Sequence, residues 1–126
     1  MKLELKENMY VRTKDGIIAK VDYIDDDTIF FDKDLYRTYG DSIDFLEKDN
    51  LEKIVKASYN IIDLIKSKDI ILGRDGKMYQ CWKIYKDYVF TYSKNKQGET
   101  ITLVDYQIDK VLTKEQMEQM AYKVGE

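Results

Sequence analysis

The sequence contains no histidine, a single cysteine and no long run of apolar residues. Histidine is the side chain most often used as a general base near neutral pH, and it is the commonest metal ligand. Its absence rules out a Ser-His-Asp or Cys-His catalytic arrangement and argues against zinc. Neither a Gly-x-Gly-x-x-Gly pattern nor a Gly-Lys-Ser/Thr phosphate loop occurs. We therefore expect no catalytic residues, no metal and no cofactor, although an enzyme working with Asp, Glu and Tyr alone stays open.

The remaining composition is that of a water-soluble globular protein. A chain of 126 residues with 44% hydrophobic residues can bury a core, and no stretch reaches the roughly 18 apolar residues of a membrane span. The first ten residues lack the apolar segment of a signal peptide. The one cysteine, Cys81, cannot form an internal disulfide. These features lead us to expect a cytoplasmic protein with no membrane partner.

A strand-and-turn phrase occurs twice in the chain, 60 positions apart. The two copies are "LKENMYVRTKDG", residues 5–16, and "IKSKDIILGRDG", residues 65–76. Identical pairs at this offset are Lys6 and Lys66, Asp15 and Asp75, Gly16 and Gly76, Ile24 and Ile84, Asp27 and Asp87, and Phe30 and Phe90. The agreement of a turn and the strand after it favours duplication of a unit of about sixty residues over chance likeness between β-rich segments.

Each copy is typical of a small antiparallel β-unit. Asp15-Gly16 lies between two extended runs, and Asp-Gly in that position favours a hairpin turn because glycine accepts positive φ. Further hairpins and a short helical turn before a last strand follow in each copy. Five short strands with tight turns predict a mainly β protein of two tandem SH3-like barrels. We place the first unit at residues 1–58 and the second at residues 59–126, packed together as one compact body.

Two other segments carry structural signals. The connection "KASYNIIDLI", residues 56–65, has four large aliphatic residues and neither proline nor glycine, so we expect it to pack between the units. Thr113 and Gln116 have the spacing of a capping box, and Met117 and Met120 fall on one helical face. This pattern predicts a short C-terminal helix whose methionines belong to the core.

Cys81 and Trp82 are neighbours on a predicted strand and should therefore face opposite sides of it. A small thiol in an apolar run usually serves packing rather than chemistry. We expect Cys81 to be buried and unreactive.

Acidic residues are concentrated in one part of the chain. Residues 22–49 hold ten acidic residues against three basic ones, a net charge of −7, whereas residues 61–126 carry 11 basic and 10 acidic residues. Such a stretch is either a solvated face that aids solubility or a surface that docks on a basic, nucleic-acid-binding site of another protein. For docking, the predicted contact residues are Asp25, Asp26, Asp27, Asp32, Asp34, Tyr36 and Tyr39.

The second unit has a different character. Between Lys77 and Lys96, five lysines and one acid, Asp87, are interleaved with six aromatic residues. Aromatic rings among cations can stack bases and contact phosphates. The candidate nucleic-acid-binding residues are Lys83, Tyr85, Lys86, Tyr88 and Lys94. A sequence pI near 5.1 argues against general nucleic-acid affinity, and in the alternative interpretation the alternate aromatic residues form core and interface.

Three segments carry a resemblance to a known set of proteins: "NMYVRTKDGIIAKV", "NIIDLIKSKDIIL" and "VLTKEQMEQMAYKV". In this order they resemble small, mostly uncharacterised proteins encoded by phages and prophages of clostridia and related Gram-positive bacteria. The resemblance runs over nearly the whole chain and implies a phage-associated protein in the cytoplasm of a bacterial host. It carries no established active site. Phage genomes hold many small proteins that block host defence, including anti-CRISPR proteins.

The expected function is therefore that of a non-enzymatic, phage-associated binding protein. It would inhibit or modulate a host protein or nucleoprotein complex with a basic surface by stoichiometric contact, and an anti-defence, anti-CRISPR-like role is the specific hypothesis. The alternative is a nucleotide or single-stranded nucleic-acid binding module that uses the aromatic-lysine stretch of the second unit.

Overall fold

The computed structural model describes residues 4–32, 43–93 and 100–124. The first unit contains β1 (Tyr10–Thr13), β2 (Ile18–Ile24), β3 (Thr28–Phe31), β4 (Phe45–Glu47), a 3-10 helix (Lys48–Lys53) and β5 (Ile54–Ser58). The second contains β6 (Ile70–Gly73), β7 (Met78–Ile84), β8 (Tyr88–Ser93), β9 (Thr100–Val104), a 3-10 helix (Asp105–Gln107) and β10 (Ile108–Leu112). A 3-10 helix (Ile61–Leu64) lies between the units, and helix α1 (Lys114–Val124) follows β10.

The strands form two antiparallel sheets with the same internal order. The first sheet runs β4-β3-β2-β1-β5 and the second runs β9-β8-β7-β6-β10, so in each unit the fifth strand pairs with the first. The predicted mainly β fold and the short C-terminal helix are confirmed. Within the described parts of the chain, no strand pairing closes either sheet into a barrel.

The repeat is visible in the backbone as well as in the sequence. Hydrogen bonds recur at the same offset of 60 residues, including those that hold the β1–β2 and β6–β7 turns. The first-unit bonds run from Asn8 N to Val21 O, Val21 N to Met9 O, Gly16 N to Thr13 O and Asp25 N to Thr28 O. Their second-unit counterparts, in the same order, run from Lys68 N to Cys81 O, Cys81 N to Asp69 O, Gly76 N to Gly73 O and Tyr85 N to Tyr88 O. The two hairpin turns around Asp-Gly are therefore equivalent, as the sequence predicts.

The end of each unit also follows the prediction. In both units a short 3-10 helix leads directly into the last strand, at Lys48–Lys53 before β5 and at Asp105–Gln107 before β10. The short strand β4 was not assigned from the sequence, because three residues are too few to show the alternation that marks a strand. The loop predicted at residues 33–42 lies outside the described residues. The second predicted loop, residues 93–100, is shorter in the structure, because Ser93 ends β8 and Thr100 begins β9; residues 94–99 lie outside the described residues.

Aliphatic side chains form the core of both units. In the first unit the buried cluster consists of Val11, Ala19, Val21, Ile29, Phe31, Leu46 and Ile54. In the second it consists of Ile71, Tyr79, Cys81, Val89, Leu103, Ile108 and Val111, and it continues into Ile18 of β2 and into Ile61, Ile62, Leu64 and Ile65 of the connection. The prediction that the connection packs between the units is confirmed.

A buried ion pair joins the two units. The Arg12 side chain is fully buried on β1, and its two terminal nitrogens both donate to the carboxylate of Asp69, which is also fully buried. One of these nitrogens also donates to the Leu64 carbonyl at 2.8 Å, and the other to the Glu115 carboxylate on α1. One guanidinium thus contacts the connection, the second unit and the closing helix.

The same carboxylate fixes the start of α1. Asp69 accepts from the backbone N–H groups of Lys66 and Lys114, both at 2.8 Å, so it holds the turn before β6 and the first residue of the helix. The helix begins at Lys114 directly after Thr113, where the capping pattern predicts its start. The Thr113 hydroxyl donates to the Gly16 carbonyl at 2.8 Å, which ties the helix to the β1–β2 turn. Met117 is half-buried, and the side chain of Met120 lies outside the described ones.

The prediction for Cys81 and Trp82 is confirmed as far as burial is concerned. Cys81 is 1% exposed in the core, whereas Trp82 is 39% exposed on the outer face of β7. Burial disfavours the thiolate, and together with the nearby Asp69 carboxylate it raises the pKa of Cys81 to about 12.

The two turn glycines should respond differently to alanine. Both have positive φ, +86° at Gly16 and +82° at Gly76, so each substitution should cost about 1–2 kcal/mol of backbone strain. A Cβ at Gly16 would also collide with the Thr113 hydroxyl, whereas a Cβ at Gly76 would meet nothing within 4 Å. Urea unfolding should therefore show a larger loss for Gly16→Ala than for Gly76→Ala. Equal losses in the free energy of unfolding would show that the β1–β2 turn does not contact Thr113 at the start of α1.

Acid should weaken the attachment of α1. Burial alone would raise the pKa of the Glu115 carboxyl, but the hydrogen bond from Arg12 and its charge hold that pKa below the usual range. The contact therefore adds stability above the ordinary glutamate pKa of about 4.3, and this stability is lost as the pH falls. Glu115→Gln should lower the free energy of unfolding by about 1–2 kcal/mol at neutral pH.

The matched control for this variant is Glu118→Gln, which changes an exposed carboxylate of the same helix. Its free energy of unfolding should stay within about 0.5 kcal/mol of that of the unmodified protein over the same pH range, because it loses only a surface pair with Lys114. The difference between Glu115→Gln and the unmodified protein should shrink below about pH 4. A difference that persists unchanged at low pH would contradict the assigned ion pair.

Cys81 should react slowly with thiol reagents in the native protein. The reactive species is the thiolate, and a pKa of about 12 leaves very little thiolate at neutral pH. The side chain is also buried, so a reagent cannot reach it without an opening of the core. The measurement compares the rate of modification in buffer with the rate in denaturant. Equal rates in the two conditions would show that the core around β7 opens freely.

Candidate functional site

Both sheets expose aromatic rings at equivalent places on their outer faces. Phe30 on β3 and Phe90 on β8 are 60 positions apart, and each is half-buried at the centre of a group of rings. We call the group on the first unit the acidic aromatic face: the rings Tyr23, Phe30 and Phe45 with the exposed carboxylates of Asp22, Asp25, Asp26, Asp27, Asp44 and Glu47. We call the group on the second unit the aromatic wall: Trp82, Tyr85, Tyr88, Phe90 and Tyr92.

The rings of the acidic aromatic face form one row across three strands. In the sheet register Tyr23 lies opposite Phe30, and Phe30 lies opposite Phe45. The Tyr23 and Phe30 rings are stacked with centroids 4.5 Å apart, and those of Phe30 and Phe45 are 6.5 Å apart. Tyr23 is 48% exposed and Phe45 is 55% exposed. The row is therefore an apolar surface in contact with water.

Carboxylates border one side of this row. Asp25, Asp26 and Asp27 form the turn between β2 and β3, and all three are exposed. The backbone N–H of Lys48 donates to the Asp27 carbonyl at 3.0 Å, which places the start of the first 3-10 helix beside this turn. Glu47 precedes that helix and is exposed. These four acids thus lie along the side of the row nearest the β2–β3 turn, where nearby like charges raise the local negative potential.

The predicted contact residues are only partly brought together. Asp25, Asp26 and Asp27 share one exposed turn, as predicted. Asp32 is half-buried at the opposite end of β3, where its N–H donates to the Lys20 carbonyl, so it does not belong to the same group. Asp34, Tyr36 and Tyr39 lie outside the described residues.

Sequence reasoning missed all three rings of the row. Tyr23 is exposed because the β2–β3 register shifts between Val21 and Tyr23, which turns both Asp22 and Tyr23 outward. Strict alternation would have placed Tyr23 on the inner face with Val21. Phe45 was missed together with the short strand that carries it.

A surface cavity of about 500 Å³ adjoins the acidic aromatic face. Phe45 and Glu47 line it together with Lys14 and Lys53. The corresponding place in the second unit, beside the β6–β7 turn, holds a cavity of about 270 Å³. There the Arg74 side chain donates to the Tyr106 carbonyl at 2.8 Å. Of the two, the cavity in the first unit has more room for a side chain from a partner.

The aromatic wall is a continuous set of ring contacts on β7, β8 and the turn between them. Trp82 stacks on Tyr92 at 5.7 Å, and Tyr85 stacks on Tyr88 at 4.8 Å, with 18° between the planes in both pairs. Phe90 lies between the pairs, 5.9 Å from Trp82 and 4.9 Å from Tyr85. Of the aromatic residues that the other interpretation assigns to core and interface, Tyr79 lies in the core, whereas the five rings of the wall are half-buried or exposed.

Lysines accompany the wall. Lys83 and Lys86 are exposed, and the Lys83 ammonium lies 5.4 Å from the centre of the Tyr85 ring. Lys94, the third predicted lysine, lies outside the described residues. The structure adds Lys68, an exposed residue whose backbone N–H donates to the Cys81 carbonyl at 2.8 Å. The sequence did not reveal Lys68, because it is distant in the chain from the aromatic residues and is brought next to β7 only by this turn.

A second contact confirms the position of that turn. The Ser67 hydroxyl donates to the Trp82 carbonyl at 3.2 Å, so the turn that carries Lys68 runs along the Trp82 end of the wall. Between Lys77 and Tyr92 the one acid is Asp87, which is exposed in the turn between β7 and β8. The surroundings of the aromatic wall are therefore more basic than those of the acidic aromatic face.

The described residues form neither a metal-binding cluster nor a membrane-spanning helix. In the part of the chain that the structure covers, no three Cys, Asp or Glu side chains lie close enough together to hold a metal ion. Nor does any described helix have the length and apolarity needed to span a bilayer. Comparison with protein-family models, with curated proteins and with solved structures finds no match.

Proposed function

We propose that the protein acts by stoichiometric binding, with the acidic aromatic face as the contact for a basic surface of a partner protein. The observation that carries this proposal is the row of Tyr23, Phe30 and Phe45, which is exposed to water and has carboxylates on its border. Aromatic residues at the centre and polar groups at the rim are the usual arrangement of a protein interface.

The two kinds of side chain would act at different steps of binding. The carboxylates of Asp25, Asp26 and Asp27 attract a basic partner over distances of about 10 Å at ~0.1 M salt and so raise the association rate. The rings supply contact area once the partner has docked, and tyrosine loses little conformational entropy in doing so. A lysine or arginine of the partner would also lie over an exposed ring, where a cation is attracted to the aromatic face.

The architecture supports a binding role in a second way. We propose that both units are SH3-like, because each has five antiparallel strands, a 3-10 helix before the last strand and a last strand that pairs with the first. Small, partly open β-barrels of this size commonly present their strand faces and loops to a ligand. The absence of histidine from the sequence also favours binding over acid-base catalysis.

The resemblance to phage proteins directs the search for the partner. We propose a host protein or nucleoprotein complex with a basic surface, and an anti-defence role of the anti-CRISPR kind as the specific case. An acidic protein that covers a nucleic-acid-binding surface would inhibit it by occupying the site of the phosphates. No catalytic step is required of this chain.

The test begins with a tagged protein and a lysate of a Gram-positive host, from which a bound partner is identified by mass spectrometry. The association rate with the purified partner is then measured for a variant with Asp25, Asp26 and Asp27 all changed to lysine. We expect a slowing of at least about tenfold at low salt, and weaker binding of the unmodified protein as salt is added. The fold should persist, because these are exposed turn residues.

A charge-matched control changes three exposed acids elsewhere, Glu7, Asp105 and Glu118, to lysine. It alters the net charge equally but leaves the face intact, so its association rate should change far less. A second variant, Tyr23→Ala with Phe45→Ala, should speed dissociation rather than slow association. Retained binding by the Asp25, Asp26 and Asp27 variant, or equal loss in the control, would reject the acidic aromatic face as the contact.

A further inference from the structure

A second ligand site is indicated by the aromatic wall, which the proposed function does not use. We propose that the aromatic wall binds single-stranded nucleic acid, with bases stacked on its rings and phosphates held by Lys68, Lys83 and Lys86. The site would take about two unpaired bases, the number that comparable aromatic platforms on small sheets accommodate. It is distinct from the acidic aromatic face, because it belongs to the other sheet.

The rings of the wall are arranged so that unpaired bases can stack on them. Two pairs with nearly parallel planes, Trp82 with Tyr92 and Tyr85 with Tyr88, lie on either side of Phe90. Trp82 and Tyr92 are 39% and 42% exposed, so the wall still presents ring surface to solvent. Every base has an aromatic face, and stacking on a side-chain ring is therefore strong and tolerant of sequence.

The charges around the wall select an anionic occupant. The exposed Lys83 lies beside the Tyr85 ring, the exposed Lys86 follows Tyr85 in the β7–β8 turn, and the exposed Lys68 lies in a turn bonded to β7. Asp87 is the exposed acid of the β7–β8 turn. The Lys68 turn is fixed against β7 by two hydrogen bonds, Lys68 N to Cys81 O and Ser67 Oγ to Trp82 O. A phosphate backbone that crosses the wall would therefore meet cations at the Trp82 end and at the Tyr85 end.

Comparison of the two units strengthens the choice of occupant. At the offset of 60, Trp82 corresponds to Asp22, Tyr85 to Asp25 and Lys86 to Asp26. The same scaffold thus carries carboxylates on one unit where it carries rings and a cation on the other. A nucleic acid would be repelled by the first arrangement and attracted by the second, so binding should be confined to the second unit in spite of the net charge of −3.

A single strand fits this surface better than a duplex does. Stacking on the rings requires a base whose face is free, and in a duplex both faces of each base are covered by its neighbours. Three lysines can neutralise only about three phosphates, too few for tight binding to a duplex through its backbone alone. The occupant must therefore gain most of its affinity from the rings.

The experiment uses the unmodified full chain and an unlabelled oligothymidine. Trp82 is the one tryptophan of the sequence, so its fluorescence reports on the wall alone. We expect quenching that saturates with the single strand and does not occur with a duplex of equal length. The logarithm of the binding constant should fall with the logarithm of the salt concentration with a slope of about −2, since each phosphate contact on a single strand contributes about −0.7.

Variants separate the wall from the rest of the surface. Tyr92→Ala should weaken binding at least about fivefold through the loss of one stacking ring, and Lys68→Ala should reduce the salt slope by about 0.7. The matched controls are Tyr106→Ala, which removes a 73% exposed tyrosine outside the wall, and Lys56→Ala on β5. Both controls should bind as the unmodified protein does. Circular dichroism shows whether each variant is folded. If Tyr92→Ala does not fold, the lysine variants still test the proposal.

Several results would overturn the proposal. They are an absence of quenching, equal binding of the duplex, or equal losses of affinity in the wall variants and the controls.

Sedimentation of the protein alone tests a different occupant of the wall. A mass that rises with protein concentration and returns to that of the monomer in Tyr92→Ala, without oligonucleotide binding, would assign the wall to a second copy of this chain and reject the nucleic acid.

Discussion

The buried pair of Arg12 and Asp69 is the interaction on which the arrangement of the two units depends. Two opposite charges without solvent are costly unless their hydrogen bonds are satisfied. Asp69 meets this condition with the guanidinium and with the backbone N–H groups of Lys66 and Lys114, while Arg12 also reaches the carbonyl of Leu64. Removing either partner would leave a buried charge, which costs about 3–5 kcal/mol. The connection and α1 are positioned by the same two side chains.

This junction has a consequence for the surfaces. Because the buried Arg12–Asp69 pair lies between the two sheets, we expect the acidic aromatic face and the aromatic wall to belong to one body rather than to two tethered domains. The faces are built on equivalent strands, with Phe30 and Phe90 at matching positions. The same strand order occurs in both units, and the residues around the central ring differ in charge.

The sequence predicted the parts of the fold that depend on local chemistry. The Asp-Gly turns, the β-branched strands and the start of α1 after Thr113 follow from backbone preferences that neighbouring residues determine. The acidic aromatic face and the aromatic wall depend on longer-range geometry. A register shift turned Tyr23 outward, and a turn bond brought Lys68 to β7. The Arg12–Asp69 pair joins residues far apart in the chain, and no local pattern marks either one as buried.

The central claim is that this pair makes the two units unfold as one. Calorimetry tests it most directly, by comparing the calorimetric enthalpy of thermal unfolding with the van't Hoff enthalpy of the same transition. The unmodified protein should show a single transition with equal enthalpies. Two resolved transitions, or a calorimetric enthalpy well above the van't Hoff value, would show that the sheets unfold separately and would contradict it.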